Sequence, residues 1–172
     1  MSNHVTRVLV TGAQGFIGKN LLVRLRELPR FTVTEFLRGD NSASLVELMT
    51  QVDAVVHLAG ENRPDDERAF ATINTGLTET ICAAIQQSNR QIPLIFASST
   101  QAERDNAYGQ SKLAAEHAIR ALGKSTGNPA VIFRLPGIFG KWCRPNYNSV
   151  VATFCHNIAR GLPIQIHDPS AA

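Results

Sequence analysis

Cysteine is scarce in this chain, with three residues among 172 and no two of them close in sequence. Closely spaced cysteine pairs are typical of zinc knuckles and of small disulfide-stabilised domains, and their absence argues against both classes. We therefore expect Cys82, Cys143 and Cys155 to be small buried or half-buried side chains in a protein of a reducing compartment.

The chain also lacks long apolar runs and runs of basic residues. No signal peptide or membrane span is visible, so we expect a cytoplasmic protein without a membrane partner. The net charge of +3 suits an anionic small ligand, but the scattered lysines and arginines argue against nucleic acid. No metal is predicted, because these histidines have no partners at metal-ligand spacing: His4, His117, His156 and His167.

The composition that remains is that of an ordinary globular domain, with 44% hydrophobic and 18% charged residues. Strands are predicted at Val5–Val10, Thr32–Leu37, Ala54–Ala59, Pro93–Ala97 and Ala130–Leu135. Helices are predicted at Ile17–Leu28, Ser44–Met49, Ile73–Ile85, Tyr108–Leu122 and Ser149–Ile158. This alternation predicts an α/β fold, in which helices cover both faces of a parallel sheet.

The most informative segment is a glycine-rich turn between the first strand and the first helix. Gly12 allows a sharp turn, Gly15 leaves room for a pyrophosphate, and Gly18 lets the helix pack close to the strand. The helix N-terminus then offers free N–H groups to the phosphates. This arrangement predicts a doubly wound Rossmann sheet that binds a dinucleotide. The predicted cofactor-binding residues of the turn are Gly12, Gln14, Gly15, Phe16, Ile17 and Gly18.

A second group of residues points to redox chemistry on a ketone. Tyr108 and Lys112 stand four apart at the start of a predicted helix and share one face, while Ser99 follows a strand at the ligand-binding edge of the sheet. Hydride transfer to a ketone needs a proton donor, and a free tyrosine has a pKa of about 10. We expect the Lys112 ammonium and an oxidised nicotinamide to lower the pKa of Tyr108, and the serine hydroxyl to orient the substrate oxygen.

In their order along the chain these motifs resemble the short-chain dehydrogenase/reductase superfamily, in its extended branch that modifies nucleotide sugars. The matching segments are 11–18, 57–60, Asn74 with Gly76, Ser98–Ser99, Tyr108 to Lys112, and 134–140. The resemblance implies that Tyr108 is the acid/base and that Lys112 binds the ribose and modulates the pKa. It implies Ser99 as the substrate-positioning hydroxyl, with Ser98 as a close rival.

The resemblance also implies roles for the segments between these residues. Asn74 would support a proton-relay water, and the backbone near Pro136 would meet the nicotinamide amide. Gly137 departs from the family pattern, which has Asn there, so a substrate contact is lost or supplied by backbone. The remaining implied cofactor-binding residues are Leu58, Ala59 and Gly60. A homodimer is also expected, because helix packing suits the small residues predicted on the outer face of helix 108–122: Ala114, Ala115 and Ala118.

A narrower similarity is to the bacterial capsule and O-antigen reductases of UDP-N-acetyl-L-fucosamine synthesis. It is carried by residues 61–64, the short loop between Ser99 and Tyr108, and residues 140–155. Those enzymes use NADPH to reduce the C4 ketone of a UDP-linked 6-deoxy-N-acetylhexosamine, and they carry a C-terminal cupin domain, which we do not expect within residues 1–172. We expect residues 1–172 to form an NAD(P)-binding domain with the start of a substrate-binding region, truncated at the C-terminus.

Two features of the sequence leave alternatives open. Arg38 at the tip of the second strand would attract a 2′-phosphate and favours NADP(H), whereas Asp40 would hold a ribose hydroxyl and keeps NAD(H) possible. Arg144 and Asn146 are candidate contacts to the nucleotide-sugar substrate, or else part of a loop that caps the helix at Ser149–Ile158.

The class of reaction is also open. The resemblance places an Asp–Glu pair after the active-site hydroxyl in dehydratases, and Thr100–Gln101 stands there instead, which argues against dehydration. An NADPH-dependent reductase is favoured. A 4-epimerase that retains its NAD and a non-catalytic dinucleotide-binding sensor or scaffold are the alternatives. His57 is interpreted as a packing residue.

Overall fold

A computed structural model describes residues 5–166, and a parallel five-stranded sheet forms its centre. The strands are β1 (Thr6–Thr11), β2 (Phe31–Phe36), β3 (Ala54–His57), β4 (Leu94–Ser99) and β5 (Ala130–Leu135), in the order β2-β1-β3-β4-β5. The α-helices are α1 (Phe16–Arg26), α2 (Ser44–Gln51), α3 (Leu77–Gln87), α4 (Ala107–Thr126) and α5 (Val150–Ile158). The predicted Rossmann-type α/β fold is confirmed.

Alternate residues of β1 enter two separate cores, one on each face of the sheet. Leu9 joins the larger core, which the helices α2, α3 and α4 cover. Val8 and Val10 pack instead with Leu22 of α1. Because both faces are covered, the strand reads as a continuous apolar run in the sequence.

Three local features differ from the prediction and shape the site. The helix expected from Ile73 begins earlier, with a π-helical segment at Phe70–Gly76 that leads into α3. The loop after β4 contains a 3₁₀ turn at Thr100–Glu103, and β4 itself extends through Ser99. Single π-helical turns occur often at functional sites, and this one buries Asn74.

The outer face predicted for the fourth helix is wrong at one position. Ala115 is fully buried in the larger core, because it lies on the same inward stripe of α4 as Ile119 and Leu122. Ala114 and Ala118 are half-buried. Residues three and four apart on a helix share a face, so Ala115 cannot be an outer contact.

The cysteine expectation is also wrong at one position: Cys82 is buried and Cys143 half-buried, but Cys155 is exposed. Two of the histidines, His4 and His167, lie outside the described residues. Within 5–166, no three His, Cys, Asp or Glu side chains cluster as metal ligands would. None of the helices in that part of the chain has both the length and the apolar character needed to cross a membrane.

The contacts divide the chain into two compact units that meet in sequence between Pro136 and Gly137. The first unit holds the sheet and α1 to α4, and the second holds α5. The single cofactor-binding domain expected over residues 1–172 stays a prediction.

Candidate functional site

The glycine turn after β1 is shaped by close backbone packing. Gly12 has a φ of +68°, and a Cβ atom there would lie 2.5 Å from the backbone nitrogen of Ala59. A Cβ atom on Gly18 would lie 2.7 Å from the Cα atom of Ala13. Both positions therefore require glycine, because the turn packs on the chain that leaves β3 at Gly12 and the first helical turn packs on the backbone of the turn itself at Gly18.

The N-terminus of α1 is arranged to receive an anion. Gly15 occupies the N-cap, and in the described chain no side chain caps this helix and its first turn carries no acidic residue. The N–H of Gly15 donates to the Gly12 carbonyl oxygen at 3.0 Å. The N–H groups of the first helical turn that follows are available to a ligand. Gln14 and Gly15 are exposed beside them. A diphosphate fits this uncapped turn.

Tyr108 and Ser99 meet at the carboxyl edge of the sheet. Asn106 caps α4 by accepting the N–H of Gly109 at 2.8 Å, and Tyr108 follows in the first turn with its ring 5.8 Å from that of Phe70. The hydroxyl of Ser99, which accepts the N–H of Gln101 at 3.1 Å, lies close enough to the Tyr108 phenol to influence its pKa through a hydrogen bond. Ser98 instead donates to the buried carboxylate of Glu116 at 2.5 Å. The structure thus brings Ser99, and not its rival Ser98, to the tyrosine.

The protonation of this pair differs from the expectation. Burial raises the pKa of Tyr108, and the Ser99 hydrogen bond opposes that rise. The net shift of the Tyr108 pKa is therefore upward, opposite to the expected lowering. Burial also lowers the pKa of Lys112 to about 8, since the residue is 4% exposed and its ammonium lies 4.4 Å from the ring centre of Phe96. Burial penalises the charged form of both side chains.

The side-chain amide of Asn74 is hydrogen-bonded to the backbone that follows β3. Its Oδ1 accepts the N–H of Glu61 at 2.7 Å, and its Nδ2 donates to the Glu61 carbonyl at 3.1 Å and to Ser111 Oγ at 3.0 Å. A Cβ atom on Gly60 would lie 3.2 Å from Asn74 Oδ1 and 3.6 Å from Lys112 Nζ, so Gly60 leaves room for both side chains. The amide is 1% exposed and acts here as a positioning group.

His57 lies in a buried chain of hydrogen bonds that ends at Asn74. The Ala59 N–H donates to Thr11 Oγ1 at 3.2 Å, and Thr11 Oγ1 lies 2.6 Å from His57 Nδ1. His57 Nε2 lies 2.9 Å from Thr78 Oγ1, which donates to the Asn74 carbonyl at 2.6 Å. Every group is satisfied if His57 is neutral with its proton on Nε2, which assigns the tautomer. Burial, helped by the charge of Lys112, lowers the pKa of His57 to about 3.

The two residues that bear on the choice of cofactor lie beyond β2. Arg38 is exposed, and its Nη2 donates to Glu61 Oε2 at 3.0 Å. Asp40 Oδ2 accepts the N–H of Leu37 at 2.8 Å and so closes the turn after the strand. Asp40 is therefore engaged in its own turn. Pro136, the predicted nicotinamide contact, is exposed just beyond β5.

Sequence reasoning missed the buried carboxylate of Glu116. It accepts hydrogen bonds from Ser98, from Arg134 through Nε and Nη2 at 2.8 Å each, and from Arg120 at 2.8 Å. Burial acts to raise its pKa, but these donors outweigh burial and lower the pKa to about 2. The available signal was a charged residue four positions beyond Lys112 on the inward stripe of a helix.

The predicted substrate contacts lie in the second unit. Arg144 is exposed, with its guanidinium carbon 5.4 Å from the ring centre of Tyr147. Asn146 has a φ of +54°, and its N–H donates to Thr153 Oγ1 at 2.8 Å. Ser149 caps α5 by accepting the N–H of Ala152 at 3.2 Å. These bonds make the segment an ordered loop at the start of α5.

The chain is similar in sequence to known proteins. The family model described as "NAD dependent epimerase/dehydratase family" matches residues 8–170. The chain is 52% identical over 165 residues to the UDP-2-acetamido-2,6-beta-L-arabino-hexul-4-ose reductase of Pseudomonas aeruginosa, a match that covers 96% of this chain and 44% of that protein.

Among solved structures, the capsular polysaccharide assembling protein CapF from Staphylococcus aureus superposes with a TM-score of 0.81 at 38% identity, covering 95% of this chain and 44% of that one. The UDP-glucuronic acid 4-epimerase from Bacillus cereus, in complex with NAD, superposes with a TM-score of 0.80 at 20% identity, covers 94% of this chain and 66% of that one, and shows the fold alone. The chain thus spans less than half the length of the reductase and of CapF.

Proposed function

The chain belongs to the NAD dependent epimerase/dehydratase family, and on that basis we propose that it is the NADP(H)-binding, catalytic part of a nucleotide-sugar reductase. The substrate class is a UDP-linked 4-keto-6-deoxy-N-acetylhexosamine, reduced at C4 during synthesis of a surface polysaccharide. The 52% identity to a reductase of a UDP-linked 4-ketosugar supports this choice.

One observation carries the catalytic part of the proposal. The Ser99 hydroxyl lies beside the Tyr108 phenol at the carboxyl edge of the sheet, close enough to influence its pKa, and buried Lys112 lies one helical turn further on the same face of α4. Ligands of open α/β sheets bind at this edge. A hydroxyl pair backed by an ammonium is suited to protonating an oxygen on which negative charge develops.

Each residue of the trio then has a distinct role. NADPH, when bound, supplies the hydride that the ketone carbon accepts. Ser99 donates a hydrogen bond to the ketone oxygen and orients it, and Tyr108 transfers its phenolic proton to that oxygen. Burial raises the pKa of Tyr108, so the phenol is protonated at neutral pH. It can therefore donate its proton when negative charge develops on the ketone oxygen. Lys112 then stabilises the tyrosinate and holds the ribose, and solvent restores the proton.

The remaining assignments concern binding. Arg38 receives the 2′-phosphate, which favours NADP(H) over NAD(H), since Asp40 is engaged in its own turn. Asn74 positions the chain after β3 and is assigned to the proton relay. The other proposed cofactor contacts are Gly12, Gln14, Gly15, Phe16, Ile17, Gly18, Leu58, Ala59, Gly60, Tyr108, Lys112 and Pro136. The proposed substrate contacts in the second unit are Arg144 and Asn146.

Two further parts of the proposal concern the protein in its cell. We place the reaction in the cytoplasm, in keeping with the scarce, unpaired cysteines. We also propose a homodimer, for which Ala114 and Ala118 of α4 are candidate contacts. Sedimentation equilibrium checks this, and a monomer at micromolar concentration would exclude it.

The substitution Tyr108→Phe tests the function. We expect kcat for NADPH oxidation with a UDP-linked 4-ketosugar to fall by about 10²–10⁴, because the proton donor is lost. The Kd for NADPH, measured by fluorescence, should stay within about twofold, since the ring remains. Net NADPH oxidation separates a reductase from an epimerase, which retains its cofactor. A substituted protein that oxidises NADPH at the original rate would exclude Tyr108 as the donor.

A further inference from the structure

An ion pair crosses the carboxyl end of β1, above the proposed dinucleotide site. Arg38 lies just beyond β2 and Glu61 just beyond β3, and β1 runs between those two strands and ends in the glycine turn. The Arg38 Nη2 and Glu61 Oε2 atoms are 3.0 Å apart. The pair therefore spans the place where the phosphates of a dinucleotide would enter.

The two partners are held very differently. The buried side-chain amide of Asn74 accepts the N–H of Glu61 and donates to the Glu61 carbonyl, so the Glu61 backbone is held in place. Glu61 Oε1 also accepts the N–H of Asn62 at 3.2 Å. Glu61 and Arg38 differ in exposure as well. The Glu61 side chain is 21% exposed, whereas that of Arg38 is 81% exposed. The carboxylate is thus a fixed group, and an ion pair with so exposed an arginine contributes little to stability.

We infer that Glu61 competes with the 2′-phosphate of the cofactor for Arg38 and thereby limits the preference for NADPH over NADH. This inference rests on the proposed function. A guanidinium in a bidentate contact to a phosphate cannot keep its contact with the carboxylate. NADH carries a hydroxyl at that position, which can donate to the carboxylate and needs no contact with Arg38.

The substitution Glu61→Gln tests this competition, because it keeps the size of the side chain and an oxygen for the Asn62 N–H. We expect the Kd for NADPH to fall about three- to tenfold, while the Kd for NADH changes less than about twofold. Isothermal titration with 2′,5′-ADP and with 5′-AMP isolates the phosphate and should show the same contrast. An unchanged or weaker affinity for NADPH, or equal tightening for both cofactors, overturns the inference.

Two further variants separate competition from a general charge effect. In an Arg38→Met background, the gain from Glu61→Gln should drop below about twofold, because there is no guanidinium to release. Glu35→Gln is the matched control: Glu35 pairs with Arg26 at 2.7 Å, its side chain is 29% exposed, and its loss changes the net charge equally. It should leave the NADPH to NADH ratio unchanged. A gain that persists without Arg38, or appears in Glu35→Gln, excludes the competition.

Failure of the inference is distinguishable from failure of the proposed function. If the unaltered chain binds neither NADPH nor 2′,5′-ADP, the proposed function fails and the inference with it. If the unaltered chain binds NADPH and Glu61→Gln leaves the cofactor ratio unchanged, only the inference is overturned. Circular dichroism and thermal midpoints check that each variant is folded. Glu61→Asp moves the carboxylate away from Arg38 and should tighten NADPH binding less than Glu61→Gln does.

Discussion

At the scale of single residues, Lys112 is a buried side chain whose surroundings disfavour its charged form. The residue is 4% exposed, and burial lowers its pKa to about 8, although the nearby charge of Glu116 opposes that shift. The unfolded chain holds the same proton more firmly, so at neutral pH the charged lysine destabilises the native state. The cost disappears above the ordinary lysine pKa, where both states are neutral.

The substitution Lys112→Met should therefore stabilise the protein while abolishing reduction. We expect the free energy of unfolding in urea at pH 7 to rise by about 1–3 kcal/mol, and the gain to shrink as pH increases toward 10. Lys124→Met, on the exposed surface of the same helix, should change stability by less than about 0.5 kcal/mol. Destabilisation by Lys112→Met would show that the contact with Phe96 outweighs the loss of solvation.

Residue spacing predicted which side chains share a face, but not their surroundings. The four-residue interval correctly placed Tyr108 and Lys112 on one face of α4. It could not choose between Ser98 and Ser99, because that choice depends on where β4 ends and on the buried partner of Ser98, Glu116. The direction of the Tyr108 pKa shift was missed for the same reason, since burial is a property of the fold.

At the scale of elements, the strand–turn–helix unit of β1 and α1 depends on how closely two backbones approach. The glycine spacing predicted this unit, because each glycine marks a point without room for a side chain. The sequence did not reveal the π-helical segment at Phe70–Gly76, because the side-chain pattern of one widened turn resembles that of an ordinary helix. That segment places Asn74 where it clamps Glu61.

Adding one methyl group at two glycines should have opposite effects. Gly18→Ala would place a Cβ atom 2.7 Å from the backbone of Ala13, so we expect a loss of about 1–3 kcal/mol in the free energy of unfolding and weaker NADPH binding. In Gly76→Ala the new Cβ atom would lie 3.7 Å from its nearest neighbour, the Ala71 carbonyl oxygen, and the backbone at Gly76 is already helical. We therefore expect the free energy of unfolding to rise by up to about 1 kcal/mol. Urea unfolding of both variants checks the contrast, and equal effects would contradict it.

At the scale of the whole molecule, apolar periodicity was sufficient to predict the layered α/β architecture and the parallel strands. It did not predict the division between Pro136 and Gly137, because contact density is set by packing between distant segments. Nor did it predict how deeply ionisable groups are buried. Two such groups, His57 and Glu116, are fully enclosed and tie the sheet to α3 and α4 respectively.

These two groups make the fold sensitive to acid in two stages. The pKa of His57 is lowered from 6.5 to about 3, so below pH 6.5 the unfolded chain binds a proton that the native chain excludes. The free energy of unfolding should then fall by up to about 1.4 kcal/mol per pH unit. The pKa of Glu116 is lowered from 4.5 to about 2, so its contribution is complete above pH 4.5 and is lost as pH falls toward 2. The slope should therefore steepen below pH 4.5.

Urea unfolding between pH 7 and pH 3.5 measures both stages. His57→Gln should be less stable at pH 7, because it disturbs the chain from Thr11 to Thr78, yet its stability should depend less on pH between 6.5 and 4.5. Lys112 adds to the lowering of the His57 pKa, so Lys112→Met should raise that pKa and flatten the slope first at the acid end of the range. If the slope between pH 6.5 and 4.5 is the same with and without His57, another group controls it, and the neutral buried histidine does not limit stability in weak acid.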